Sequence, residues 1–147
     1  MKLGIICDGI SRDLSYTLNI MDEFELEYAE LQFVGDKEVG DHSAQEIKEI
    51  DLILRDRGKP VSCLSRHIFA GMTTANLAGD DLHTKHMDAL KRVIDMAHIV
   101  DSPLVRIMTP RKEQILWGSN GAEKMERRQW SVGKIITLDC PSLRLST

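Results

Sequence analysis

The sequence has few cysteines and no long apolar run. Its three cysteines, Cys7, Cys63 and Cys140, are scattered and form no CxxC pair, which excludes a disulfide-stapled chain and favours reduced thiols. No apolar run approaches the roughly 18 residues of a membrane span. The apolar start at residues 3–7 stops at Asp8, which is too short for a signal peptide. We therefore expect a cytoplasmic protein without a membrane partner.

A basic excess is also missing. The chain carries 19 Lys and Arg against 23 Asp and Glu, a formal net charge of −4, whereas nucleic-acid binders usually show a basic patch or stripe. The glycine-rich residues 118–121 match neither the phosphate-loop nor the dinucleotide fingerprint. What remains is a mixture of 42% hydrophobic and 29% charged residues over 147 positions. This composition favours one globular domain that binds no nucleic acid.

Short apolar runs alternate with stretches of helical periodicity. The runs, each bounded by turn residues, predict strands at residues 2–7, 28–34, 61–64 and 104–108. Helices are expected between them, which gives the order βαβαβαβ. Alternation of this kind predicts a parallel sheet with right-handed crossovers.

The three predicted helices have recognisable starts. Asp13 caps the first, Asp41 or Ser43 caps the second, and the third covers about residues 81–100. Ser43 and Glu46 have the spacing of a capping box. The inward faces are predicted to consist of Leu14, Leu18 and Met21, then Ala44, Ile47, Ile50, Ile53 and Leu54, then Met87, Leu90, Val93, Ile94 and Ala97.

Three stretches together resemble a known family. They are residues 28–32 (Tyr-Ala-Glu-Leu-Gln), 67–72 (His-Ile-Phe-Ala-Gly-Met) and 102–108 (Ser-Pro-Leu-Val-Arg-Ile-Met). The chain resembles the xylose-isomerase-like TIM barrels, the sugar phosphate isomerase/epimerase family, over residues 1 to about 124. A full barrel needs eight βα units and about 250 residues. The resemblance implies an α/β half-barrel of four parallel strands and three helices, the N-terminal half of such a barrel.

The pattern degrades after residue 110. Where relatives continue into a Trp-containing helix, this chain has Met-Glu-Arg-Arg at residues 125–128. Back-translated and shifted by one base, residues 125–146 can encode a helix-like peptide that begins Trp-Asn-Val-Ala-Ser-Gly-Ala-Trp. We therefore expect a half-barrel at 1–124 and an irregular, frameshifted tail at 125–147. Within that tail, residues 132–138 are a weak strand candidate, of which residues 135–138 could pair onto a sheet edge.

Candidate site residues lie at the carboxyl ends of the predicted strands, where sites of this fold occur. The substrate-binding candidates are His67, Gln32, Glu30, Phe69, Arg106 and Trp117. Most have an alternative role. His67 contacts a sugar hydroxyl or is a hydrogen-bonded loop histidine. Glu30 and Gln32, which share one face of their strand, line the barrel mouth and bind substrate or satisfy buried polar neighbours. Arg106 binds an anionic substrate or pairs with Glu30, and Trp117 is a pocket wall or a contact with a second subunit.

The resemblance implies a divalent metal, Mn, Mg, Co or Zn, in full-length relatives. There, Glu, Asp and His of the last four strands hold it, and none of those strands is present here, so we expect no metal ligand and no cofactor in this chain. His83 and His86 lie three apart on one helix face, a spacing that can chelate a metal. The favoured interpretation is that His83 and His86 are solvated residues on the helix surface.

The sequence thus indicates a truncated relative of divalent-metal-dependent sugar (phosphate) isomerases or epimerases that is inactive alone. The alternative is an active or ligand-binding, isomerase-like protein that works as a homodimeric half-barrel. The first and fourth strands are expected to be open edges, which are templates for association. The expected partners are a small sugar and a second copy of the chain.

Overall fold

Strands and helices alternate along the chain as the sequence predicts. The computed structural model describes residues 3–73, 81–109 and 136–137. The elements are β1 (Gly4–Ile6), α1 (Leu14–Glu23), β2 (Tyr28–Leu31), β3 (Phe33–Val34), β4 (Lys37–Glu38), α2 (Ala44–Asp56), β5 (Val61–Ser65), α3 (Asp81–Ile99), β6 (Leu104–Arg106) and β7 (Ile136–Thr137). A 3₁₀ turn, Cys7–Gly9, follows β1.

The main sheet has the order β1-β2-β5-β6-β7, and its first four strands are parallel. The α/β fold class is therefore confirmed. Because parallel neighbours follow one another in chain order, right-handed crossovers place successive helices on the same face of the sheet. The burial of β2 agrees, since Ala29 and Leu31 are buried whereas Tyr28 and Glu30 are half-buried. This is the layout of a half-barrel, with an inner face that no helix of the described chain covers.

The core lies between the sheet and the helices. Its fully buried members include Leu18 and Met21 of α1, Leu64 of β5, and Val93 and Met96 of α3. Most of the predicted inward positions are confirmed. Ile53, Met87 and Ile94 are half-buried and Ala44 is exposed.

Both predicted helix caps are confirmed. The Asp13 carboxylate accepts the Tyr16 N–H at 3.1 Å. At α2, the Ser43 hydroxyl accepts the Glu46 N–H at 3.3 Å, and the Glu46 carboxylate accepts the Ser43 N–H at 2.7 Å. Each pair satisfies backbone donors that the first helical turn leaves without partners.

The second strand departs from its predicted extent of residues 28–34. β2 ends at Leu31, and β3 instead pairs with β4 in an antiparallel hairpin. Its two-residue loop begins at Gly35, whose φ of +60° is the backbone conformation that such a loop needs and that glycine supplies at low cost. The Gly35 N–H also donates to the Arg12 carbonyl at 2.8 Å, which ties the hairpin to the loop before α1.

The far edge of the sheet is covered by the tail. β7 pairs antiparallel with β6, with Leu104 opposite Thr137 and Val105 opposite Ile136. The expectation that residues 135–138 cap an edge is confirmed at residues 136–137, and the expectation that the fourth strand is an open edge is wrong. β1 is the edge strand of the sheet as described.

Several expectations fall on undescribed residues. Trp117 and, apart from β7, the predicted frameshifted tail at 125–147 lie outside the described ranges. No helix within those ranges is long and apolar enough to cross a membrane.

Candidate functional site

Polar side chains meet in two layers where β2 and β5 end. Glu30 of β2 contacts Ser65 of β5, and Gln32, just after β2, contacts His67, just after β5. Gln32 follows Glu30 by two residues, and His67 follows Ser65 by two residues. The two contacts are therefore successive rungs across the same pair of strands. We call them the lower rung (Glu30, Ser65, Arg106) and the upper rung (Gln32, His67, Glu38).

The lower rung is an ion pair bridged by a buried hydroxyl. Ser65, which is fully buried, donates its hydroxyl proton to Glu30 and accepts from Arg106 Nε at 2.9 Å. Arg106 Nε lies 3.5 Å from the Glu30 carboxylate, and half of the Arg106 side chain is exposed. The predicted alternative in which Arg106 pairs with Glu30 is therefore what the structure shows. The exposed part of the guanidinium still has donors to offer a ligand.

The upper rung fixes the orientation of His67. Glu38 Oε1 accepts both the backbone N–H of His67 at 3.0 Å and Nδ1–H of its ring at 2.8 Å. The Gln32 amide nitrogen lies 3.0 Å from Nε2 and 3.2 Å from Nδ1. Because Nδ1–H is directed at Glu38, Nε2 is the ring nitrogen that carries the acceptor lone pair. The Gln32 amide nitrogen is almost equally distant from both ring nitrogens, so it does not lie along that lone pair. The imidazole thus presents its acceptor nitrogen away from the carboxylate.

Glu38 is itself held in place by arginines. Its second oxygen lies 3.4 Å from Arg66 Nε, and Arg66 continues to Asp41, whose other oxygen accepts from Arg92 of α3 at 3.0 Å. Burial raises the pKa of Asp41, but the hydrogen bonds from the two arginines outweigh it and lower the pKa below its usual value. This carboxylate is therefore ionised at neutral pH, and it joins the segment between β4 and α2 to α3.

Phe69 sits on the loop after β5 in an unusual backbone conformation. Its φ is +62°, a region that bulky side chains seldom adopt. Its backbone N–H donates to His86 Nδ1 at 3.1 Å, and its ring contacts those of His83 and His86 at centroid distances of 6.1 and 5.7 Å. The interpretation of His83 and His86 as solvated surface residues is wrong, because both are half-buried against Phe69.

A cation–aromatic contact borders the upper rung. The Arg12 guanidinium lies over the Phe33 ring at 4.7 Å from its centroid, and the Phe33 and His67 rings are 6.4 Å apart. Such a contact is worth about 0.5–1 kcal/mol at an exposed site. It links Arg12, in the loop before α1, to the β3–β4 hairpin.

Neither described cysteine is an activated nucleophile. Burial raises the pKa of Cys7 to about 12, with the Asp8 and Glu30 carboxylates adding to the effect. Burial also raises the pKa of Cys63. Since the thiolate is the reactive form of cysteine, thiol chemistry does not explain this site.

The described side chains do not suit a resident metal. Within residues 3–73 and 81–109, no group of three or more His, Cys, Asp or Glu could hold a metal ion. The upper rung joins one histidine to one carboxylate, and its third member, Gln32, presents the amide nitrogen to the ring. Hydrogen bonding to a polar ligand is the chemistry that this arrangement supports.

Sequence reasoning found part of this site. Glu30, Gln32, His67 and Arg106 come together as candidates, and Phe69 lies two residues beyond His67. Glu38, Ser65, Arg66 and Asp41 were missed. Glu38 reaches His67 through the β3–β4 hairpin, and the Gly35-Asp36 turn was the signal that could have placed it there.

The chain matches no protein-family model, and a search of curated proteins found no match. The functional argument therefore rests on the geometry of the two rungs.

Proposed function

We propose that this half-barrel binds a polyhydroxylated small molecule, a monosaccharide, at the two rungs. The observation that carries the proposal is the oriented imidazole of His67. With Nδ1 engaged by Glu38 at 2.8 Å, the acceptor Nε2 and the Gln32 amide lie side by side on a half-exposed surface. A hydroxyl group can donate to that nitrogen and accept from that amide at the same time. Hydroxyl chemistry is thus the chemistry that this pair matches.

The lower rung supplies a second set of polar contacts. Arg106 is half-exposed beside the partly exposed Glu30 carboxylate, so a ligand finds both a donor and an acceptor there. Two residues along a strand correspond to roughly 6.5 Å. One monosaccharide that hydrogen-bonds at both ends can reach both rungs.

The proposed ancestry is that of divalent-metal-dependent sugar (phosphate) isomerases and epimerases. It is supported by the half-barrel layout and by the position of the polar cluster at the carboxyl ends of the strands. The resemblance covers only the N-terminal half of such a barrel, and it assigns the catalytic metal to the later strands. We therefore propose binding without isomerisation for this chain by itself, in a protein of the cytoplasm.

A second candidate is an isomerase-like protein that works as a homodimer. The observation that favours it is the uncovered inner face of the sheet, together with the β1 edge. A two-fold partner that covered this face would also enclose the two rungs and exclude water from them. The two candidates differ in whether binding and turnover depend on the dimer.

The deciding experiment is a titration of the ¹⁵N-labelled full chain with D-xylose and D-fructose. Binding should shift the amide and side-chain signals of Gln32, His67 and Arg106, and His67→Ala should weaken it about 10-fold or more, as expected for one lost polar anchor. His98→Ala, at an exposed position on α3, is the matched control and should bind normally. Equal binding by the two variants would refute the proposed site.

A turnover assay separates the two candidates. Aldose–ketose interconversion is followed by NMR with Mg²⁺ or Mn²⁺ added to the full chain. We expect binding and no interconversion. An interconversion rate per mole of chain that rises with protein concentration would instead support the homodimeric enzyme.

A further inference from the structure

His86 is the contact that holds the loop after β5 against α3. Its Nδ1 accepts the backbone N–H of Phe69 at 3.1 Å, and its ring lies against the Phe69 ring at a centroid distance of 5.7 Å. This is a side-chain acceptor on a helix meeting a backbone donor on a loop. Phe69 makes its other described ring contact with His83, also on α3. Its neighbour Ile68 is fully buried, and the Ile68 carbonyl accepts the Met108 N–H at 3.0 Å.

The direction of this hydrogen bond fixes the protonation state of His86. An N–H can be accepted only by an unprotonated ring nitrogen, so His86 is neutral with its proton on Nε2. When the imidazole is protonated, Nδ1 becomes a donor that faces another donor. The hydrogen bond is then replaced by a repulsive contact, and the Phe69 N–H loses its partner.

The loop at residues 66–72 connects this contact to the upper rung. Phe69 follows His67 by two residues, and the Ala70 N–H donates to the His67 carbonyl at 3.2 Å. Phe69 has a φ of +62°, a conformation that persists only where surrounding contacts impose it. Loss of the His86 contact removes one of those constraints from the loop that also carries His67.

We propose that His86 is a positioning residue for the sugar site, which keeps His67 in its binding orientation while neutral and releases the loop when protonated. This inference rests on the proposed function, which makes the upper rung the binding element. It adds that sugar binding weakens as the pH falls through the range in which histidines titrate.

Other titratable groups around this contact are few among the described residues. On α3 the positions one turn from His86 are Leu82, His83, Ala89 and Leu90, so His83 is its titratable neighbour there. On the loop side, His67 lies two residues before Phe69 and pairs with Glu38. Any pH dependence of binding therefore combines His86 with His67 and His83, and variants are needed to separate them.

The test uses His86→Asn and His86→Leu in the full chain. The Asn side chain places an oxygen acceptor close to the position of Nδ1 but does not titrate, whereas Leu has no acceptor. His98→Asn, on the exposed side of the same helix, is the control. The first readout is the amide chemical shift of Phe69 between pH 8 and pH 5, which requires no ligand.

In the wild type and in His98→Asn, the Phe69 amide should shift in step with the titration of His86. In His86→Asn it should stay near its high-pH value throughout, and in His86→Leu it should differ at every pH. A Phe69 amide that ignores pH in the wild type, or one that titrates by as much in His86→Asn as in the wild type, would overturn the proposal even if every variant folds.

The second readout is affinity for D-xylose. Affinity should fall from pH 8 to pH 5.5, and the fall in the wild type should exceed the fall in His86→Asn by a factor of about 5 to 10. That factor is the amount that one hydrogen bond supplies. His86→Leu should bind weakly at both pH values. If no sugar binds at any pH, the proposed function fails while the Phe69 titration still decides the role of His86. If sugar binds with the same pH dependence in the wild type and His86→Asn, the role of His86 fails and the proposed function stands.

Discussion

At the scale of single residues, Glu38 turns a surface histidine into an oriented one. One of its oxygens accepts two hydrogen bonds from His67, one from the backbone N–H and one from the ring Nδ1–H. The other oxygen faces Arg66. Because the carboxylate is mostly buried, these hydrogen bonds act in a medium less polar than water and are correspondingly strong. His67 was predictable as a candidate from its place after a strand. Its partner was not, because the two lie 29 residues apart in sequence.

Replacement of Glu38 by Gln should destabilise the protein and disorder His67. Gln removes the charge that Arg66 and His67 share, and hydrogen bonds to charged groups are worth about 1.5–3 kcal/mol. We expect a loss of roughly 1–2 kcal/mol in the free energy of unfolding, measured by urea denaturation. Glu23→Gln, at the exposed end of α1, should change stability by less than about 0.5 kcal/mol. Equal losses in the two variants would contradict a special role for Glu38.

Glu46 should make stability depend on pH in the acid range. Hydrogen bonds from Lys37 and from Ser43 lower the pKa of this carboxyl from 4.5 to about 2. A group whose pKa is depressed by folding stabilises the protein above its unfolded pKa and loses that contribution as the pH falls through its folded pKa. The free energy of unfolding should therefore fall between about pH 5 and pH 2. In Glu46→Gln this fall should be smaller, and the same slope as in the wild type would show that the Lys37 contact is absent in solution.

At the scale of elements, the helices and parallel strands were predictable and the hairpin was not. Periodicity and capping residues predicted the start of α1 at Asp13 and narrowed the start of α2 to Asp41 or Ser43, since caps are local features. The run at residues 28–34 has strand character throughout, and its division into β2 and β3 depends on pairing with Lys37–Glu38. Pairing of β2 with β5 also shifts register between Ala29 and Glu30. That shift is a tertiary feature, and it aligns the two rungs.

The glycines of the hairpin region should differ sharply in their tolerance of alanine. Gly40 has a φ of +87°, and a Cβ there would lie 2.8 Å from Val93 Cγ2 and 3.0 Å from the Val93 nitrogen. Gly35 has a φ of +60° with open space around it. We expect Gly40→Ala to lower the free energy of unfolding by roughly 3 kcal/mol, through backbone strain and overpacking together. Gly35→Ala should lower it by roughly 1 kcal/mol, through backbone strain alone.

Gly9→Ala is the matched control, because Gly9 has neither a positive φ nor a neighbour within 4 Å. It should leave stability unchanged or slightly increased. Urea denaturation measures all three variants. An order of stability in which Gly35→Ala falls below Gly40→Ala would mean that the hairpin does not pack on α3 through Gly40.

At the scale of the whole molecule, the helices among the described residues cover one face of the sheet only. Chain-order pairing of parallel strands leaves the opposite face, with Tyr28, Glu30 and Arg106, half-buried or exposed. β7 covers the β6 edge, while β1 presents its backbone groups at the other edge. Open edges and uncovered faces favour association.

Association through the β1 edge should therefore be measurable at micromolar concentration. Leu3 lies beside this edge and is 49% exposed, and Leu52 on the outer face of α2 is 59% exposed. We expect a dimer by light scattering and sedimentation. Leu3→Lys should weaken it, since an edge lysine opposes strand pairing, and Leu52→Lys should not. A monodisperse wild-type monomer would contradict this prediction.

The sequence by itself determined the α/β class, the order of the elements, the helix caps and most of the buried positions, because these follow from local periodicity and from residues close in the chain. It also placed four of the rung residues at strand ends. Only the tertiary structure decided that Glu38 orients His67, that His86 accepts the Phe69 N–H, and that β7 closes one edge. Each of these contacts joins residues at least 17 positions apart, and no local pattern specifies which distant donors and acceptors will meet.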